Sequence, residues 1–265
     1  MGSVSCDDGS PFSSAQLSKV VKRVWAFLSF ALGRYSGVAL VVGFDGSGAR
    51  VFEQWGMPIA SVGPWDGSTS WFDTHHAGTL SAVFPGFCSL WDNSLWGKPL
   101  RTVIYLYLGA NERGTGIGVD TALILAQVAL EQLAWTYCVR DRRMVSEHAF
   151  GRSGLSAADK LRLLMSALGV PAGLPPALTS LQGKRAKKWE DGPDAIAGIR
   201  NALVHPREKD DLTPDSYFEA WNLAMWYLDL VLLRLCQYDG RYANRLKTSR
   251  WQGQVESVPW AKSSD

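Results

Sequence analysis

Apolar residues along this chain recur with two different periods. Val20, Val21, Val24, Trp25, Leu28 and Leu32 fall at helical spacing, and Ser14 stands where a helix cap is wanted, which predicts a helix from about 14 to 35. Val38 to Phe44 and Ala49 to Trp55 are instead β-rich runs on either side of Asp45-Gly46-Ser47-Gly48, the pattern of a hairpin. Residues 57–78, rich in Gly, Ser and Trp, read as an ordered irregular connection. Helical spacing returns from Leu80 to Leu108, broken around Trp91 to Pro99.

The second half of the chain is helical throughout. Asn111 to Gly118 marks the clearest internal boundary; it lacks Gly-Lys-Ser/Thr and any G-x-G-x-x-G in register, so it reads as a flexible entry to a helix and not as a phosphate cradle. Asp120 is placed to cap a helix reaching about Arg140. Its apolar positions, from Leu123 to Tyr137, wrap much of the circumference, the mark of a centrally buried helix. Ser156 opens another helix with a Ser-x-x-Asp capping pattern and Gly169 closes it. Pro171 to Leu178 forms a turn into a short helix ending at Gln182, and Asp194 to His205 is a further helix. Thr213-Pro214 starts the last long one, ending near Tyr238-Asp239-Gly240. The predicted fold is α+β. A flexible tail (1–13) and a smaller mixed α/β region with a β-hairpin (14–110) precede an all-α bundle (111–240). A C-terminal tail (241–265) packs back onto the first half.

Composition narrows this picture. The 265 residues are 46% hydrophobic and 20% charged, ordinary for a soluble globular protein. The twelve Trp are unusual and are assigned to core packing. A net charge of +2 signals no global polyanion binder, so any RNA-binding field must come from local patches. Cys6, Cys88, Cys138 and Cys236 are scattered without a C-x-x-C pair, which suggests neither a zinc site nor a disulfide framework. The polar start and the early Lys19, Lys22 and Arg23 do not fit a signal peptide. Cys6 stands where a myristoylation signal wants Ser or Thr, and no run approaches the roughly 18 apolar residues of a membrane span. A soluble cytoplasmic protein is expected. Asp73, His75 and His76 have nothing nearby to complete a metal set and read as ordinary loop residues.

The residues with chemistry to offer are Arg200, Asn201 and His205. At about 100° per residue, Asn201 and His205 lie roughly 100° and 140° around the helix from Arg200, while Ile196, Ile199 and Leu203 fall on the opposite side. One helix therefore has an apolar face and a polar face that gathers a His, an Arg and an Asn. Pro206 ends it at or before His205. RNA cleavage through its own 2′-hydroxyl needs one proton acceptor, one proton donor and a cation for the phosphate. Histidine titrates near neutrality, and arginine offers a charged fork suited to phosphate oxygens. No metal and no cofactor is required. The same spacing also arises by chance, with Asn201 bonding locally and His205 merely closing the helix.

Arg200-Asn201-Ala202-Leu203-Val204-His205, set in a helical bundle between the helix containing Ala129-Leu130-Glu131-Gln132-Leu133 and a closing helix from Tyr217 to Cys236, resembles the HEPN superfamily motif. That superfamily comprises small helical domains of bacterial toxins, antiphage defence proteins and RNA-processing enzymes. The resemblance covers residues from about 112 to 240. It implies a homodimer with two motifs facing one composite cleft, metal-independent cleavage of RNA, and a 2′,3′-cyclic phosphate product. By that resemblance Arg200 binds the scissile phosphate, His205 transfers a proton and Asn201 orients one or the other. Some relatives carry a Tyr two positions after the His that an antitoxin modifies; here Arg207 stands there, which speaks against that route of control. Lys184, Arg185, Lys187 and Lys188 beside Trp189 are either a solvated face or an RNA contact in which Trp189 stacks a base. Glu131 needs a partner if buried, and Arg200 or another Arg would serve to orient the motif. The alternative to a nuclease is a non-catalytic RNA- or protein-binding dimerisation module.

Overall fold

The computed structural model describes residues 9–11, 13–56, 70–112, 117–184, 188–205, 212–247 and 251–261. Helix α1 (Ser14–Leu32) leads into a hairpin of β1 (Leu40–Phe44) and β2 (Arg50–Trp55). Helices α2 (Gly78–Asp92), α3 (Gly97–Asn111) and α4 (Val119–Trp135) follow, and α4 continues as a π-helical segment over Thr136–Asp141. Then come α5 (Ala157–Leu168), the single turn α6 (Thr179–Gln182), α7 (Gly192–Val204), α8 (Pro214–Leu235) and two short paired strands, β3 (Arg241–Tyr242) and β4 (Glu256–Ser257). The fold is α+β, with a helical C-terminal part.

Local capping explains most boundaries. The α1 cap is Ser13, one residue before the one expected. Its hydroxyl accepts from the Gln16 amide at 3.3 Å and the Gln16 side chain accepts from the Ser13 amide at 2.8 Å, a reciprocal pair that Ser14 could not form. Gly33 closes α1 in the left-handed region, φ 64°. Helix α4 starts from Gly118, and Asp120 lies in its first turn, where a carboxylate suits the helix dipole, instead of at the cap. Ser156 and Thr213 cap α5 and α8 as their sequences indicate.

Helix α4 is the axis of the core. Leu123, Ala126, Ala129, Leu130, Leu133 and Ala134 are all fully buried, against α3, α5, α7 and α8. The small residues let helices approach closely, and Leu130 and Leu133 fill the space between them. By length and composition Val119–Asp141 could cross a bilayer, a longer apolar run than the sequence reading allowed, but 61% of its apolar window is buried inside the bundle, the setting of a core helix. The connection after residue 111 joins α3 and α4, which pack side by side, and the residues of α1 to α3 share one buried cluster with those of α4 to α8. The aromatic residues Phe27, Phe30, Trp71, Phe87 and Tyr107 form the part of that cluster under α1 to α3.

Two regions outside the helices behave differently. The hairpin pairs Leu40 with Trp55 and Gly43 with Phe52, with an irregularity at Gly43/Phe44, and it leaves Phe44 66% and Trp55 77% exposed. The C-terminal segment docks firmly. Ala243 N donates to Trp71 O at 2.7 Å, Gly253 N to Asp73 Oδ2 at 2.8 Å, and Trp260 Nε1 to Tyr238 O at 2.7 Å. His76 Nε2 meets Gly253 O at 3.1 Å, so this loop histidine ties down the chain terminus.

Candidate active site at the end of helix α7

Helix α7 is held rigidly at one end. Asp191 caps it by accepting from the Asp194 amide, and Arg162 of α5 grips the same carboxylate through Nε at 2.5 Å and Nη2 at 3.1 Å. Asp159 adds a second carboxylate to Arg162 at 2.6 Å, itself kept below the usual carboxylate range chiefly by the Ser156 hydroxyl. At Gly192 a Cβ would lie 2.1 Å from Tyr227 Oη, so only glycine lets the helix start rest on α8. Ala195, Ile196, Ala197 and Ile199 then carry the buried face into the core.

The other end carries the motif. Asn201 and His205 are exposed, on the side opposite Ile196 and Ile199, whereas Arg200 stands one turn from buried Ile196, at the edge of the apolar face, and is half-buried. Arg200 Nη1 donates to Asn201 Oδ1 at 3.2 Å, and the His205 amide donates to Asn201 O at 2.8 Å. Asn201 is thus bonded to both of its partners, through its side chain to Arg200 and through its carbonyl to the His205 backbone. Helix α7 ends at Val204, and His205 leaves the helical region with φ −127° and ψ 71°. The imidazole therefore projects from a helix terminus, beside an exposed Val204 (41%). A cavity of about 390 Å³ opens elsewhere, between Pro175, Pro176, Lys247 and Trp251, with no motif residue in its lining.

The residues expected around the motif fare unequally. Glu131 is half-buried and accepts from Gln127 Nε2 at 2.8 Å; an internal amide of α4, not Arg200, is its partner in the structure. Lys184 is half-buried and Lys188 exposed, joined by a backbone bond at 3.1 Å from Lys188 N to Lys184 O. Arg185 and Lys187 lie outside the described residues, as does Arg207. Trp189 corrects the stacking expectation. Its indole is only 5% exposed, donates to Leu181 O at 3.0 Å and packs toward Gly198 of α7, so it offers no face to a base. A tryptophan beside a charge run looks alike whether it lies over the run or under it. Sequence reasoning missed Arg162 and Glu219, whose carboxylate accepts from the Ser180 and Leu181 amides at 3.1 and 2.9 Å. Both act across 29 to 39 residues of chain, a separation that no local pattern reports.

Fold and motif together define a helical-bundle protein with a hairpin-bearing N-terminal region and a polar Arg-Asn-His set on the open end of a late helix. The chain belongs to the YopA C-terminal domain family, whose family model matches residues 93–257 and so includes α3 to α8 and the motif. The YopA central domain matches residues 1–67, which hold α1 and the hairpin. Over 255 residues the chain is 28% identical to the SPbeta prophage-derived uncharacterized protein YopA of Bacillus subtilis (strain 168), covering 96% of this chain and 56% of that protein. The chain thus spans about half the length of that relative. No solved structure matches it.

Proposed function

We propose that this protein is an endoribonuclease that cleaves single-stranded RNA without a metal, by attack of the 2′-hydroxyl on the adjacent phosphate. The reading rests on one observation: at the open end of a helix locked into the core, the half-buried Arg200 is hydrogen-bonded to Asn201, and Asn201 and His205 are exposed beside it. In this scheme Arg200 holds the scissile phosphate and neutralises charge that develops on it. His205 moves a proton at the 2′-oxygen or the leaving 5′-oxygen, and Asn201 fixes the direction of the guanidinium. The product is a 2′,3′-cyclic phosphate. Because Asn201 and His205 are open to solvent, a second copy presenting its own motif would complete a cleft around them, and the active form is a homodimer. The prophage setting of the Bacillus relative suits a toxin or antiphage effector, with an antitoxin or other regulator as partner. The same openness favours the second reading, a HEPN-like module that binds RNA or protein and dimerises without catalysis.

The test incubates labelled single-stranded RNA with the protein in EDTA, alongside Arg200→Ala and His205→Ala variants shown folded by circular dichroism. Cleavage by the wild type alone, leaving cyclic phosphate ends, is the expected result. Equal cleavage by all three sinks the site, and absence of cleavage under every condition selects the binding module.

A further inference from the structure

A concentration of positive charge lies at the other end of the bundle. Helices α3 and α4 are antiparallel neighbours, so the start of α3 meets the π-helical end of α4; Trp96 Nε1 donates to Asp141 Oδ2 at 3.2 Å across that contact. Residues 96–102 and 135–144 carry Lys98, Arg101, Arg140, Arg142 and Arg143 against the single carboxylate of Asp141. Five cations less one carboxylate is +4, against +2 for the whole chain. All five cationic residues are exposed. Among the described residues Lys98, Arg101, Arg140 and Arg143 have no carboxylate within 4.0 Å, and Arg142 reaches Asp141 only at 3.9 Å.

Three of the guanidiniums are laid on aromatic rings. Arg101 sits 5.1 Å over Trp91, Arg140 5.4 Å over Trp135 and Arg142 5.4 Å over Tyr137. Such stacking fixes a planar fork while leaving its N–H edges to solvent. Gly97 permits the arrangement, since a Cβ there would stand 2.6 Å from Trp91 O. Arg143 is held at φ 52°, a left-handed conformation that a non-glycine residue adopts at a cost of about 1 kcal/mol. Complementing a helix dipole explains Arg140 at the end of α4 but not Lys98 and Arg101. Lys98 lies in the first turn of α3, where cations are disfavoured and no acidic residue is present, and Arg101 follows at the start of the second.

We propose that this surface binds the phosphodiester backbone of a nucleic acid strand. Ordered guanidinium forks match phosphate oxygens in pairs, and four of the five cations are arginines, whereas attraction to an anionic lipid surface needs only mobile point charges. The surface is separate from the motif. Trp221 Nε1 donates to Ala110 O at 2.8 Å, placing the first half of α8 at the far end of α3, and Tyr227 lies against Gly192, which puts the last turn of α7 beside the first half of α8. The two sites thus lie at opposite ends of α4, roughly 25 Å apart at 1.5 Å per residue. The assignment stands on this surface alone and does not require the ribonuclease reading.

Fluorescence anisotropy decides it. Labelled RNA and DNA of one sequence are titrated in EDTA between about 50 and 200 mM salt, the range over which backbone binding weakens steeply. His205→Ala serves as the parent chain, so failure of the nuclease reading cannot be mistaken for failure of this one. The triple variant Arg140→Ala/Arg142→Ala/Arg143→Gly is expected to lose at least roughly 10-fold in affinity and to lower the salt slope by about 2. RNA and DNA losing affinity alike, or RNA losing more, both support a backbone surface. Unchanged affinity and slope in the triple variant overturn it. Should the triple variant unfold early, Lys98→Gln/Arg101→Gln on the first two turns of α3 replaces it, with a loss of affinity supporting the proposal and none refuting it. Phosphatidylserine–phosphatidylcholine vesicles form the last arm. Binding to them without binding to either nucleic acid assigns the surface to a membrane and overturns the proposal.

Discussion

Arg245 and Arg200 mark two regions of this molecule that use the same side chain in opposite ways. Arg245, in the docked C-terminal segment, is sealed: Nε donates to Asp229 Oδ2 at 2.7 Å, Nη1 to Asn111 Oδ1 at 3.1 Å and Nη2 to Tyr107 Oη at 3.2 Å. Tyr107 in turn donates to Asp229 Oδ1 at 2.7 Å, and Asn111 Nδ2 donates to Gly33 O at 2.5 Å. The network joins α1, α3, α8 and the C-terminal segment, and Tyr107, Asn111, Asp229 and Arg245 are all buried. Arg200 is half-buried and its one described side-chain bond is to the exposed amide of Asn201. A guanidinium whose donors are turned inward holds a fold together. One whose donors face outward from a helix anchored at its far end is available for a substrate.

The comparison breaks first at the buried end. Arg245→Ala removes the guanidinium that neutralises the buried Asp229 carboxylate, and the expected loss of unfolding free energy is about 3–5 kcal/mol. Urea denaturation measures it; a loss under about 1 kcal/mol would mean the network is decoration. The double variant Arg245→Met/Asp229→Leu sharpens the point, because removing both charges costs less than removing one. Next in size is Gly192→Ala, whose Cβ must displace the Tyr227 hydroxyl from its bond to Ala172 O. A loss of about 1–3 kcal/mol is expected from this overpacking, with no comparable effect for Gly198→Ala on the exposed side of α7.

These two sites also show what could be read from sequence. Helix positions, the hairpin turn and the caps at Ser156 and Thr213 are local, set within four residues by spacing and side-chain chemistry, and they were legible. The polar face of α7 was legible for the same reason, since Arg200, Asn201 and His205 lie within six consecutive residues of one helix. Arg245 was not. Its partners Asn111 and Tyr107 stand 134 and 138 residues away, and nothing local distinguishes it from Arg241, whose guanidinium donates to Val255 O. Trp189 failed for a related reason, because its burial depends on its contacts with Leu181 and with Gly198 of α7. The α3–α4 cationic surface was likewise hidden, divided between segments some forty residues apart.

A smaller effect separates the regions by pH. Burial, reinforced by the Asp229 charge, pushes Tyr107 well above the ordinary tyrosine value of 10.0. The sign follows: the folded state favours the neutral phenol, so Tyr107 contributes its full stability below pH 10 and loses it as pH rises further. Between pH 10 and 11 the wild type is expected to lose about 1 kcal/mol more than Tyr107→Phe, read from thermal melts with tyrosinate absorbance as the monitor. Equal alkaline slopes for the two proteins would place Tyr107 outside the sealed network.

The smallest expected stability change belongs to the region proposed to act. Arg200→Ala, Asn201→Ala and His205→Ala remove two exposed side chains and one half-buried one, joined by a single described side-chain hydrogen bond at 3.2 Å. Surface substitutions of this kind fall within about 0.5 kcal/mol, so all three should melt with the wild type. Asn201→Ala is the most informative, because Asn201 O still accepts from the His205 amide while only the side-chain tie to Arg200 is lost. An unanchored guanidinium should weaken RNA cleavage less than Arg200→Ala does, with helix content unchanged by circular dichroism. If any of the three instead lowers stability by more than about 1 kcal/mol, the motif is part of the scaffold, and the contrast with Arg245 collapses into a difference of degree.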